Sequence, residues 1–274
     1  MTPGHHHAHG LDAAQFAALC LAVLAAVVYL VAAHRLRRRG NDWPWPRQAS
    51  FTAGAALIAA AVAVPVPGGP FTVHMAQHLL AGMFAPVLLV AGRPLTLALL
   101  VLRPGRPRRR LLAVAHSRPA GWLAAPAVAV TLDLGGLWLL YRTPLLAATG
   151  RNPWLHAAVH LHVIAAGTLF AFAVCQLDPV RRRWGLPWRV GALLAGGAAH
   201  AVLAKTLYAV PPPGTAYDPA DLRAGARLMY YGGDLAELAL AAVVAAGWYA
   251  AAGRAHRRAR RREGQYVARP PLMS

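Results

Sequence analysis

The chain has 274 residues, 57% of them hydrophobic and only 14% charged, with a mean hydropathy of +0.41. A soluble domain carries more charge and sets its apolar residues in short amphipathic patterns, whereas here they stand in long unbroken runs, so a soluble globular fold is excluded. The formal net charge of +19 would suit a nucleic-acid binder, but the arginines stand in short clusters between the apolar runs, as they do in the loops of membrane proteins, and nucleic acid is not the expected partner.

Residues 1–11 are expected to form a short extracytoplasmic segment rich in histidine (His5, His6, His7, His9), without the basic residues that lead a signal peptide. The first apolar run, about Asp12 to Ala33, is followed at once by Arg35, Arg37, Arg38 and Arg39 and reads as an anchor with its N-terminus outside. A second run from about Ser50 to Val66 ends in the turn Pro65-Val66-Pro67-Gly68-Gly69-Pro70. The third, about Val73 to Leu102, contains Pro86, where a kink is expected. After the basic loop Arg103 to Arg110 come a fourth run, about Gly121 to Leu140, and a fifth, about Pro153 to Leu177, stopped by Asp178 to Arg183. The sixth spans about Trp188 to Val210, the seventh about Leu228 to Ala252, and residues 253–274 form an arginine-rich tail, expected on the cytoplasmic side.

The expectation is therefore an all-α, polytopic fold: a seven-transmembrane-helix bundle over residues 12–252, N-terminus out and C-terminus in. Arginine placement carries the orientation. The candidate inner loops hold the clusters Arg35 to Arg47, Arg103 to Arg118, Arg181 to Arg189 and Arg254 to Arg269; the outer loops hold only Arg142, Arg151, Arg223 and Arg227. On that topology Cys20 and Cys175 fall in opposite leaflets, and no disulfide joins them.

Ionisable residues inside a bilayer are costly and mark function. His74 and His78 stand four residues apart in the third run, on one helix face, and His156 and His160 repeat the spacing in the fifth. With His200, Asp133, Asp234 and Glu237 they fall at similar depth in the outer leaflet of five different spans. Imidazole suits copper, zinc and iron, and nearby thioethers (Met75, Met83, Met229) favour Cu(I). The candidate ligands are His74, His78, His156, His160 and His200, with Asp133, Asp234 and Met75 in supporting or charge-balancing roles. His162 points away from His160, toward a structural hydrogen bond. Lys205, the single lysine, is expected to reach for the outer surface.

Several of these blocks resemble a known family. His74-Met75-Ala76-Gln77-His78-Leu79-Leu80, then Ala85-Pro86 and Gly92-Arg93-Pro94-Leu95, are similar to the histidine-rich signature of the CtaG-type cytochrome c oxidase assembly factors. His156 to Leu161 with Gly167 and Asp178-Pro179, then His200, and finally Asp221, Met229, Gly233 and Asp234 extend the likeness from about Ser50 to Ala252. Tyr230-Tyr231 and Leu222 depart from that family's usual tryptophan and glutamine.

The resemblance implies a seven-span protein of the bacterial cytoplasmic membrane that supports maturation of the copper centre of a haem–copper oxidase. Its implied partners are oxidase subunits and an extracytoplasmic copper chaperone, with no turnover chemistry of its own. The alternative is a membrane b-type cytochrome with haem held by His78 and His160. A transporter or proton relay would need ionisable residues in both leaflets, and a retinal protein would need a lysine in the seventh span; neither pattern is present.

Overall fold

Proline opens most of the helices, since its missing N–H is one that a helix start leaves unpaired in any case. The computed structural model describes residues 13–267, and these residues contain helices and connections but no strand. In chain order they are α1 (Ala13–Arg38), α2 (Trp45–Ala63), α3 (Pro70–His78), a π turn (Leu79–Phe84), α4 (Ala85–Ala91), α5 (Pro94–Val101), α6 (Arg106–Ala115), α7 (Arg118–Leu123), α8 (Pro126–Arg142), α9 (Leu145–Thr149), α10 (Pro153–Cys175), α11 (Leu186–Ala209) and α12 (Pro219–Val267). The histidine-rich segment 1–11 lies outside the described residues.

Among the described residues, five helical stretches are long and apolar enough to cross a membrane, making this a multi-pass membrane protein: α1, the run from α3 through α5, α10, α11 and α12 as far as Arg258. The second and fourth expected spans are shorter helices. α2 has 19 residues, and α8 has 17 and rises about 25 Å, less than the ~30 Å of a typical hydrocarbon core. Both pack into the bundle, α2 on α1 and α4, α8 on α10 and α11. Much of the apolar surface of α1 is exposed (Leu21, Leu24, Val28), as suits a helix facing lipid. Cys20 and Cys175 are both free thiols, the first exposed and the second buried.

The third expected span is not one regular helix. Pro86 has no N–H to donate, and in the turn before it the Ala85 N–H reaches back five residues to the Leu80 carbonyl. The deviation expected at Pro86 thus takes the form of a π turn just ahead of it. The run breaks again at Gly92-Arg93, where Arg93 takes a left-handed conformation (φ 53°), and restarts at Pro94.

Two carboxylates from distant segments close the helix starts in this run. Asp221 accepts from the Phe71 N–H (2.8 Å), the Thr72 N–H (3.0 Å) and the Thr72 hydroxyl (2.6 Å) at the start of α3. Asp178 does the same for Leu95 (3.3 Å), Thr96 (2.8 Å) and the Thr96 hydroxyl (2.5 Å) at the start of α5. Both helices open with Pro-X-Thr, so one chemical device is used twice. A carboxylate at a helix N-terminus also complements the helix dipole.

One apolar cluster (Phe71, Met75, Tyr141, Leu203, Leu207, Met229) joins α3, α8, α11 and α12. A second (Val87, Ala129, Phe170, Val174, Leu240) joins α4, α8, α10 and α12. The buried histidines sit between them.

Candidate functional site

His78 ends α3, just before the π turn, and His200 stands on α11; their rings are tilted 28° to each other, with centroids 6.1 Å apart. Both are buried, 7% and 2% exposed. Among the described residues, neither ring nitrogen of His78 has a hydrogen-bond partner, nor does Nε2 of His200. Buried polar atoms are nearly always paired, so three unpartnered imidazole nitrogens at one place call for a water or an ion between them. Nδ1 of His200 faces the Glu237 carboxylate on α12 at 3.9 Å.

These groups open onto a small cavity of about 30 Å³, lined by His78, Met83, Asp133, His200 and Glu237 with Phe170 among its apolar walls. That volume exceeds the ~10–15 Å³ a water needs, so the cavity suits a water or a single ion, and it is far too small for a porphyrin. Glycine makes the room around it. A Cβ on Gly233 would collide with the His200 imidazole, and one on Gly197 with the Glu237 carboxylate.

From this buried pair the histidines continue toward the start of α3 and α10. His74, one turn before His78, bonds the hydroxyl of the fully buried Tyr141 through Nε2 at 3.0 Å. Its ring lies 6.4 Å from that of His160, which lies 4.2 Å from that of His156. Nδ1 of His160 bonds the His156 carbonyl at 3.0 Å. A carbonyl only accepts, so that nitrogen carries the proton. The five imidazoles thus form a file from the partly exposed His156 to the buried His200.

Among the described residues, no three His, Cys, Asp or Glu side chains are gathered closely enough to hold a metal ion ready-made. The histidines come in pairs instead. Asp133, placed by sequence beside the ligands, does line the cavity. Asp234 does not; Glu237, three residues on, takes the place beside His200. Met75 is fully buried in the apolar cluster, while Met83 faces the cavity. His162 makes the structural bond expected of it, to the Leu132 carbonyl at 3.3 Å.

Tyr141 was not singled out by sequence. Nothing in the chain links it to His74, 67 residues away, and an aromatic near a span end reads as an interface anchor. Glu237 had a signal in its depth, but spacing alone did not rank it above Asp234.

The model of the cytochrome c oxidase caa3 assembly factor family matches residues 27–251. The uncharacterized proteins Mb0105 of Mycobacterium bovis and MT0111 of Mycobacterium tuberculosis are each 38% identical over 188 residues, covering 65% of this chain and 28% of theirs. The uncharacterized protein ML1998 of Mycobacterium leprae is 35% identical over 190 residues, 66% of this chain and 29% of its own. The chain thus spans under a third of the curated relatives it matches. No solved structure matches it.

Proposed function

The chain belongs to the cytochrome c oxidase caa3 assembly factor family, and on that premise we propose that it binds Cu(I) between His78 and His200 and supports copper delivery to an oxidase subunit. The observation that carries this reading is the buried pair itself, whose three orphaned ring nitrogens face a cavity of ion size. Cu(I) has a filled d shell and accepts two imidazoles in a near-linear arrangement, so pairs suffice. Zinc normally takes at least three protein ligands, so pairing favours copper. Glu237 would balance the charge of the bound cation, and Asp133 and Met83 complete the walls.

His156, His160 and His74 then serve as the entry, handing the ion inward from one pair to the next. The proposed setting is the bacterial cytoplasmic membrane, with α2 and α8 completing seven spans, the N-terminus outside and the histidine file opening toward the outer face. A copper donor on that side and the oxidase subunit are the proposed partners. The haem reading finds no support, because the space beside His78 is too small for a porphyrin.

A bacterial host lacking its own member of the family provides the test. Wild-type chain is expected to restore copper content and activity of the membrane oxidase. The His78→Ala, His200→Ala variant, accumulating in membranes at wild-type level, is expected to restore neither, and growth in excess copper to bypass the defect. Full restoration by the double variant would overturn the proposal.

A further inference from the structure

The last turns of α11 and the first turns of α12 enclose a second, open cleft of about 270 Å³, lined by Lys205, Tyr208, Arg227, Tyr230 and Tyr231 with Ala204 and Ala226 at its base. The Lys205 ammonium lies 5.4 Å from the centre of the Tyr230 ring, and the Arg227 guanidinium 5.9 Å from that of Tyr208. No carboxylate lines the cleft, and among the described residues neither cation has an ion pair.

The position along the helices fits a headgroup. Lys205 precedes the end of α11 by four residues and Arg227 follows the start of α12 by eight, or about 6 and 12 Å of helix rise. Lys205 thus stands near the end of a membrane-crossing helix and Arg227 in the polar first turns of α12, both exposed and at the level expected of lipid headgroups. Tyrosine, apolar in its ring and polar at its tip, is the side chain suited to that layer. The space is smaller than the ~300–1,000 Å³ of pockets that take whole organic ligands, and it is of headgroup scale.

We infer that this cleft binds the phosphate of an anionic phospholipid headgroup between Lys205 and Arg227, with tyrosine hydroxyls as further donors. Basic pockets between membrane helices on the cytoplasmic side hold such headgroups, and this cleft presents the same chemistry on the face proposed to be the outer one. The site is separate from the histidine file and does not depend on copper.

Native mass spectrometry of the delipidated full chain tests it, with phosphatidylglycerol, phosphatidylcholine and inorganic phosphate as probes. Wild type is expected to prefer phosphatidylglycerol over phosphatidylcholine on the order of tenfold. Lys205→Gln with Arg227→Gln is expected to abolish that preference at unchanged melting temperature, and Lys205→Arg with Arg227→Lys to keep it. Should the double glutamine variant fold poorly, Lys205→Gln alone is expected to lower the preference. An undiminished preference in a folded glutamine variant would overturn the site. Inorganic phosphate binding as tightly as the lipid would overturn the lipid as its occupant.

Discussion

The His78→Ala, His200→Ala protein is expected to bind Cu(I) more than about a hundredfold more weakly than wild type, beyond the 10- to 100-fold that loss of a merely supporting group costs. Competition against a chelator of known affinity, in detergent under reducing conditions, reads the change. The expectation follows from the donors that remain. Removing both rings leaves the ion only Glu237, Asp133, a thioether and water. These do not reproduce two neutral nitrogen donors for a soft cation. His156→Ala is expected to lower the rate of loading and leave the equilibrium affinity nearly unchanged, because that ring lies at the open end of the file. An affinity loss equal to that of the double variant would move the binding site outward.

Asp178→Ala is expected to be the most destabilising single change outside the histidine site, costing about 2–4 kcal/mol. The carboxylate is 1% exposed and receives three hydrogen bonds at the start of α5. Alanine would leave two backbone N–H groups and a hydroxyl of this half-buried helix start without their partner. Asp221→Ala removes the matching device from α3, but that carboxylate is only partly buried and water can replace it, so about 1–2 kcal/mol is expected. Thermal unfolding in detergent gives both values. Asp178 lies beyond α4 from His78, so its variant should bind Cu(I) as wild type does when folded. A wild-type melting temperature for Asp178→Ala would contradict this account of the break at Arg93.

The long helices were legible because hydropathy and proline mark them. The expected run from Pro153 to Leu177 is α10 to within two residues at its C-terminal end, and that from Trp188 to Val210 is α11. The helix that carries the last expected span begins at Pro219, nine residues before Leu228, its first turns made polar by Arg223 and Arg227. A cap signal was present there, as Asp218 accepts from the N–H groups of Ala220 and Asp221. The π turn at Leu79–Phe84 was not legible, since one extra residue in a turn leaves no trace in an all-apolar run.

The histidine pairs were readable from spacing, but which ring faces which was not. Within-helix spacing places His74 and His78 on one face; only packing of α3 against α11 and α12 puts His78 on His200 and leaves His74 to Tyr141 and His160. The same limit explains Asp234 and Glu237. Both sit on the inward part of α12, and the choice between them depends on Gly197 of α11 giving way to the longer side chain.

The most direct test of the central claim is the copper K-edge X-ray absorption spectrum of the purified, Cu(I)-loaded chain. The pair predicts a low-coordinate site whose nearest shell is two imidazole nitrogens, lost in the His78→Ala, His200→Ala variant. A nearest shell dominated by sulfur, or a spectrum unchanged in that variant, would contradict it.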